Sequence, residues 1–264
     1  MRKLKKIDRD IHELLEMKVR EFNTPAFIAQ DPIAIPHRYT DSRDREIAGF
    51  LAATIAWGQR PTIVRNGHRL MELLQDAPFD FVMNASTRDL NSLKSFVHRT
   101  FNGEDLMVFL KGFRRIYSEH ETLEHAFLKH HTTGNMMETI SSFRTEFLGK
   151  AATSRTAKHV SDPGKGSSAK RINMFLRWMI RRDNSGVDFG IWRQFSSSEL
   201  MCPLDVHVGN VARSLNLLER HIDDRKSVEE LTANLRLLDS KDPVKYDFAL
   251  FGLGIFEGWK SITT

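Results

Sequence analysis

The sequence predicts an all-α protein with two helical lobes. Apolar residues recur three and four positions apart through most of the chain, which is the spacing that gives a helix one buried face. No convincing run alternates apolar and polar residues in the manner of a strand, and no internal repeat is found. A polar stretch over 149–166 separates a helical first half from a helical second half. This change in composition predicts the division into lobes.

The N-terminal region, residues 1–40, is predicted to form one helix and an extended linker. Within 5–22 the apolar residues lie at helical spacing, with charged residues between them. That pattern indicates an amphipathic helix that covers another part of the protein. Three prolines then recur within 23–40. Proline and the residue before it resist the helical conformation, so this segment is predicted to be extended.

The first helical lobe is predicted over 41–148. Its opening helix carries the nearly continuous apolar run from Ala48 to Trp57 and is therefore expected to be buried. Gly58 is expected to end this helix and Pro61 to begin the next, because glycine favours helix ends and proline favours the first turn. Further helices are predicted at 85–97, 104–118, 121–130 and 135–148.

The second lobe, 149–264, begins with the polar stretch, which is predicted to be a surface loop or an arm that binds a DNA strand. A basic helix follows, and then a turn-like insert over 188–195. Ser227 and Glu230 have the spacing of a capping box, which predicts a helix start. The remaining helices are predicted at 205–217, from this box to Leu238, and from Asp242 and Pro243 through Phe256.

Composition restricts the setting and the chemistry. The net charge of +5 favours an anionic partner without identifying one. Cys202 is the one cysteine, so a disulfide, a cysteine-ligated zinc site and an iron–sulfur cluster are excluded within a single chain. The charged N-terminus lacks the apolar core of a signal peptide, and no apolar run is long enough to span a membrane. A cytoplasmic protein without membrane attachment, metal or cofactor is predicted.

The stretch Gly164–Arg182 combines a turn rich in small residues with a basic amphipathic helix. Its sequence, GKGSSAKRINMFLRWMIRR, contains six basic residues and no acidic one. A turn that leads into a helix presents backbone N–H groups at the positive end of the helix dipole, where phosphates bind. Lys170 lies just inside this helix; the alternative is an ordinary surface lysine on a solvated helix. A nucleotide-binding P-loop is excluded, because the Gly-Lys-Ser/Thr ending is missing and no buried strand precedes the turn.

A second segment, PLDVHVGNVARSLNLL, follows this helix and contains Asp205. The order of a small-residue hairpin, a lysine helix and this segment resembles the helix-hairpin-helix DNA glycosylases, whose hairpin is followed by D-x-H-V-x-R-V-x-x-R-L-x-L. The lysine helix is most similar to the compact 8-oxoguanine DNA glycosylases. The whole chain also resembles an uncharacterised bacterial family related to that superfamily. The resemblance covers 164–256 and, more weakly, 44–75.

The resemblance implies a glycosylase-like fold with a helix-hairpin-helix motif, and excision of a damaged base, such as an oxidised purine, from duplex DNA. It implies Lys170 as the nucleophile, with abasic-site lyase activity, and Asp205 as its acid–base or electrostatic partner. Breaking an N-glycosidic bond builds positive charge on the sugar, which a fixed carboxylate stabilises, and a lysine amine can attack C1′ and leave a Schiff base. The residues implied in DNA binding are Lys165, Gly166, Ser167, Ser168, Arg171, Arg177, Gln59 and His207.

Departures from the family pattern keep two other hypotheses open. Ser168 stands where the family has its second hairpin glycine, and Asn210 where it has an arginine. These residues favour a non-catalytic nucleic-acid-binding protein that retains the fold; a helical scaffold is the third hypothesis. Asp205 also suits a helix N-cap, a role compatible with catalysis. His207 is expected to be structural, because no second metal ligand lies near it.

Overall fold

The computed structural model describes residues 8–150 and 152–259, and within them the all-α prediction is confirmed. Residues 5–7 of the predicted N-terminal helix lie outside the described residues. The α-helices are α1 (Arg9–Phe22), α2 (Pro25–Ile28), α3 (Ser42–Thr54), α4 (Arg60–Leu73), α5 (Pro78–Asn84), α6 (Thr87–Ser92), α7 (Gly103–Glu119), α8 (Leu123–Lys129), α9 (Met136–Leu148), α10 (Ser154–Ala157), α11 (Lys170–Ile180), α12 (Val206–Ser214), α13 (Arg225–Leu238) and α14 (Tyr246–Ile255). Short 3₁₀ turns lie at Pro32–Ala34, Pro36–Arg38, Leu93–Ser95, Pro163–Lys165, Ser197–Glu199 and Pro243–Lys245.

The chain divides into two compact units. The central unit is the continuous segment Ile28–Asp162, and the C-terminal unit combines the residues up to Phe27 with those from Pro163 onward. The sequence predicted boundaries after residues 40 and 148, whereas the units of the structure divide after Phe27 and after Asp162. The N-terminal helix belongs to the C-terminal unit because its apolar face packs on α14.

A small hairpin interrupts the helices of the central unit. β1 (Val97–His98) pairs antiparallel with β2 (Phe101–Asn102). The sequence predicted a helix as far as residue 97, but α6 and its 3₁₀ turn end at Ser95. Strands of two residues are too short to show apolar alternation, so the sequence pattern did not predict them.

Phenylalanine side chains fill the core of the central unit. The ring centroid of Phe50, on α3, lies 4.9–6.2 Å from the ring centroids of four phenylalanines on α7 and α9, which are Phe109, Phe113, Phe143 and Phe147. These rings meet at tilted or edge-to-face angles, which aromatic pairs prefer over a flat sandwich. The buried apolar run predicted over 48–57 therefore serves as the centre about which α7 and α9 pack.

The prediction of an extended linker over 23–40 is wrong. The segment contains α2 and two 3₁₀ turns, and each of these elements begins with a proline. Proline lacks an N–H, but the first residues of a helix need none, and its fixed φ suits that position. The Asp31 side chain also accepts the backbone N–H of Ile33, which caps the first 3₁₀ turn.

The predicted capping box at Ser227 and Glu230 is also wrong, although the helix exists. α13 begins two residues before Ser227, and its N-cap is Asp224, whose carboxylate accepts the Ser227 N–H at 2.9 Å. Ser227 is fully buried in the first turn, while Glu230 accepts the backbone N–H of Glu219. Asp and Ser are both strong N-caps, so the sequence alone did not separate them.

Close packing holds α1 on α14 in the C-terminal unit. The Tyr246 hydroxyl donates to Glu16 at 2.6 Å, and Lys245 forms an ion pair with the same carboxylate at 2.8 Å. Gly252 lets the ring of Phe22 approach the α14 backbone, because a Cβ at that position would lie 2.1–2.6 Å from three ring atoms. The absence of a side chain at Gly252 is therefore a packing requirement.

No helix within 8–150 or 152–259 combines the length and the apolar composition needed to cross a bilayer.

We expect Gly252→Ala to lower the free energy of unfolding by about 1–3 kcal/mol, because the new methyl group overlaps the Phe22 ring. Gly254→Ala is the comparison on the same helix, with the same gain in helix propensity. A Cβ at Gly254 would meet its nearest atoms at 3.2 Å, so a shift of a few tenths of an ångström accommodates it and the loss should be smaller. Urea denaturation of the full chain measures both. Phe22→Leu should recover part of the loss in the Gly252→Ala background, and equal stability of the two alanine variants would contradict this packing.

Candidate functional site

The turn before α11 has an unusual backbone. Gly166 has a φ of 88°, in the region that glycine adopts freely, and Ala169 has a φ of 48° and a ψ of 38°. Ala169 is the N-cap of α11 and has no side-chain group to cap the helix. The first turn of α11 thus begins without the side-chain acceptor that most helices of this protein have at that position.

Neighbouring segments hold the turn in place. The backbone N–H of Arg225 donates to the Gly166 carbonyl at 2.9 Å, and Ser167 forms an antiparallel bridge with Asp224. Within α11, the Asn173 side chain donates to the Ser168 carbonyl at 3.0 Å. The turn is therefore fixed both to the start of α13 and to its own helix.

Asp205 occupies the N-cap of α12. Its Oδ1 atom accepts the backbone N–H groups of His207 and Val208, each at 3.0 Å. A carboxylate at this place interacts favourably with the positive end of the helix and keeps its second oxygen for other partners. The structure therefore gives Asp205 the capping role that the sequence had left as an alternative.

Lys170 and Asp205 come together in space. The Lys170 Nζ atom lies 3.5 Å from the Asp205 Oδ2 atom, the oxygen that the cap does not use. The two side chains retain 23% and 26% of their exposure, so an external molecule can reach both. An amine and a carboxylate are thus held at the beginnings of α11 and α12, separated in sequence by 34 intervening residues.

Arg177 does not have the DNA-binding position that the resemblance implied. It is 3% exposed, and its guanidinium forms ion pairs with Asp188 at 3.2 Å and with Asp247. It also lies over the ring of Phe248, with its Cζ atom 4.2 Å from the ring centroid. A buried guanidinium held by two carboxylates cannot contact DNA as well, so the expectation is corrected to a structural role.

Asp247 is a residue of this site that the sequence did not reveal. Burial raises the pKa of its carboxyl to about 6, although the positive charges of Arg177 and Lys170 act in the opposite direction and the charge of Asp205 adds to the rise. The carboxyl therefore lies within electrostatic range of the Lys170–Asp205 pair. Asp247 belongs to α14, which the sequence predicted only as a helix, and nothing in its local pattern marks it as different from a surface aspartate.

The other residues implied in DNA binding are distributed unevenly. Lys165, Gly166 and His207 are exposed in the C-terminal unit, and Ser167, Ser168 and Arg171 are partly exposed. Burial lowers the pKa of the Arg171 guanidinium to about 10. Gln59 belongs to the central unit, where it is exposed and precedes α4. His207, expected to be structural, projects from the first turn of α12.

Comparison with known proteins identifies the family. The family described as Protein of unknown function (DUF2400) matches residues 31–256, which is most of the chain. The chain therefore belongs to this family, and the match includes Lys170, Asp205 and Asp247. No curated protein and no solved structure matches the sequence.

The raised pKa of Asp247 predicts a particular pH dependence of stability. Between about pH 4 and pH 6 the folded protein holds a proton at Asp247 that the unfolded chain has released. Raising the pH across this window should therefore lower the free energy of unfolding of the wild type relative to Asp247→Asn, by about 1–3 kcal/mol. Denaturant unfolding at a series of pH values measures the slope.

Asp183→Asn supplies the control with the opposite sign. Burial raises the pKa of Asp183, but Arg181 and Asn23 outweigh it and lower the pKa overall. The wild type should therefore lose stability relative to Asp183→Asn as the pH falls below about 4. Parallel pH profiles for the wild type and Asp247→Asn between pH 4 and 6 would refute the assignment of the raised pKa.

Proposed function

We propose that this protein binds duplex DNA and excises a damaged base, an oxidised purine being the expected lesion, with Lys170 as nucleophile and Asp205 as its partner. The observation that carries the proposal is the 3.5 Å separation of the Lys170 Nζ and Asp205 Oδ2 atoms, with both side chains reachable from solvent. The proposal also rests on the glycosylase-like order of the hairpin, the lysine helix and the aspartate segment.

The proposed chemistry uses both members of the pair. The Lys170 ammonium must first release a proton, and the Asp205 carboxylate is close enough to take it. The Nζ lone pair then bonds to C1′ while the N-glycosidic bond breaks, and the electron pair of that bond leaves with the base, which takes up a proton. Loss of a second proton from Nζ and opening of the sugar ring, with protonation of O4′, leave a Schiff base.

An electrostatic role is the alternative for Asp205, in which its carboxylate stays ionised and does not take the lysine proton. Its carboxylate is fixed by two backbone N–H groups, so it needs no rearrangement to face the positive charge that develops on the sugar. Asp247, buried and within electrostatic range of the pair, adds negative potential when it is ionised. Both carboxylates therefore favour a cationic transition state over the neutral ground state.

The turn at Gly166–Ser168 is the proposed contact with the DNA backbone. Its residues are exposed or partly exposed, and α11 begins directly after it without a side-chain cap. Backbone N–H groups at the start of a helix bind phosphate oxygens, and Lys165 adds a positive charge. The bond from Arg225 to Gly166 holds this turn in position for such a contact.

An exposed aromatic side chain lies near the same end of α12. A Cβ on Gly254 would lie 3.2 Å from the Cβ of His207, so the end of α14 is beside the start of α12. Phe256 follows this end and is 45% exposed, with its ring stacked on Phe22. Extruded bases stack on aromatic faces, and we propose Phe256 for this role.

Borohydride trapping tests the chemistry. With duplex DNA that carries an abasic site or 8-oxoguanine, the wild type should give a covalent adduct and Lys170→Gln none, because glutamine has no nucleophilic amine. Asp205→Asn should reduce the trapping rate at least about 100-fold while keeping the helix cap, since asparagine caps as well as aspartate. Denaturing electrophoresis of the reduced product is the measurement.

Lys241→Gln is the control for loss of a positive charge. Lys241 is exposed in the same unit, at a distance in sequence from both helices of the site, and its replacement should leave trapping unchanged. Adduct formation by Lys170→Gln at the wild-type rate would refute the assignment of the nucleophile. Absence of any adduct or excision across a broad panel of lesions would refute the enzymatic proposal.

A non-catalytic nucleic-acid-binding protein is the second candidate. It is favoured by the completeness of the structural roles at the site: Asp205 caps α12, and its ion pair with Lys170 joins the starts of α11 and α12. Ser168, which stands where the helix-hairpin-helix glycosylases have their second hairpin glycine, favours this candidate as well. This candidate predicts binding that weakens steeply with salt and breaks no bond.

Fluorescence anisotropy with a labelled duplex, measured over a range of salt concentrations, separates the candidates. Salt-dependent binding without adduct formation supports the second, and failure to bind DNA or RNA at low salt contradicts both.

A further inference from the structure

A cluster of acidic and histidine side chains lies in the central unit, where three helices approach one another. It consists of Glu119, His120, Lys129, His130 and Glu146, and we call it the Glu146 cluster. α7 ends at Glu119, α8 ends at Lys129, and Glu146 lies in the last turns of α9. The cluster has no part in the site proposed for DNA.

Glu146 is the centre of this cluster. Its Oε1 atom is 3.2 Å from His120 Nε2 and 3.0 Å from Lys129 Nζ, and its Oε2 atom accepts from His130 Nε2. The side chains of Glu146, His120 and His130 retain only 12%, 15% and 22% of their exposure. Two imidazoles and a carboxylate are thus held together in a half-buried position.

Glu119 adds a second carboxylate to this cluster. Within the described part of the chain its carboxylate makes no hydrogen bond or ion pair, although one oxygen lies within 4.8 Å of ligand atoms of both His120 and Glu146. Two carboxylates at this separation repel each other unless a positive charge lies between them. The position between Glu119, His120 and Glu146 therefore favours a cation.

The three groups suit a divalent ion of the zinc type. Such ions bind imidazole nitrogen and carboxylate oxygen at about 2.0–2.2 Å, which places tetrahedral ligand atoms about 3.3 Å from one another. The separation of His120 Nε2 and Glu146 Oε1 already matches this distance, and only Glu119, on an exposed side chain, has to move closer. The hydrogen bond from His130 then orients the Glu146 carboxylate from the side away from the ion, as outer partners of metal ligands do.

We propose that Glu119, His120 and Glu146 bind a divalent transition-metal ion such as Zn²⁺, with water completing the coordination. The imidazole binds through the Nε2 lone pair and keeps its proton on Nδ1. Lys129 competes with the ion for Glu146 Oε1, and its side chain, 50% exposed, is free to turn toward solvent. Glu119 and His120 are neighbours at the end of α7, whereas Glu146 lies on α9, 26 residues after His120. This spacing matches no metal-binding motif, so the sequence analysis predicted no metal here.

Calorimetric titration of the chelator-treated full chain with ZnCl₂ tests the proposal, with Co²⁺ absorption as a report on nitrogen and oxygen ligation. One ion per chain is expected. Glu119→Gln should weaken binding at least about tenfold, the lower end of what the loss of even an outer partner costs. This variant should fold normally, because the Glu119 carboxylate forms no hydrogen bond or ion pair with another described residue. Lys129→Met should tighten binding, because it removes the competing charge.

Glu121→Gln is the matched control, since it removes the same charge from an exposed glutamate two residues away that is outside the ligand set. It should bind the ion as the wild type does. Equal affinities of Glu119→Gln and Glu121→Gln, no saturable binding by the wild type, or a Lys129→Met variant that binds no tighter than the wild type would each overturn the assignment.

Discussion

The C-terminal unit depends on ion pairs between two buried arginines and the aspartates around them. Arg181 is 2% exposed and forms ion pairs with Asp188 and Asp242, both at 3.0 Å, while Arg177 shares Asp188 and adds Asp247. A buried charge is costly unless opposite charges and hydrogen bonds surround it. α11, the segment after it and α14 must therefore take the one arrangement that brings all these carboxylates to the guanidinium groups.

This pairing also sets the position of the candidate nucleophile. Lys170 and Arg177 are seven residues apart, so they lie two turns apart on the same face of α11. With Arg177 fixed between Asp188 and Asp247, that face is turned toward α14, and the lysine at the start of the helix faces Asp205 on α12. The position of the partly exposed Lys170 side chain thus depends on charges buried about 10 Å further along the helix axis. Rigid support of this kind is what a reactive pair requires.

The sequence predicted the parts of this structure that depend on local pattern. Amphipathic helices such as α7 and α9 were predicted to within a residue or so of their ends. The sequence also showed that the Asp205 segment follows the Lys170 helix, but it did not predict that the two side chains lie 3.5 Å apart. The sequence shows the charge of a basic residue but not its burial, so Arg177 was assigned to DNA binding. One of its actual partners, Asp247, lies 70 residues away in the sequence, where no local pattern connects the two. The proline-rich linker was predicted incorrectly because proline favours both extended chain and the first turn of a helix.

The packing of α1 on α14 affects the order in which parts of the chain can fold during synthesis. The central unit is one continuous segment, whereas α1 is synthesised before this segment and its partner α14 after it. At about 5–20 residues per second, α1 waits on the order of 10–50 s before α14 emerges. During that interval Leu15 and Val19, fully packed in the finished protein, face solvent or a chaperone. α1 thus reaches its packed position only after the central unit has been synthesised, and until then its apolar face is open to aggregation and proteolysis.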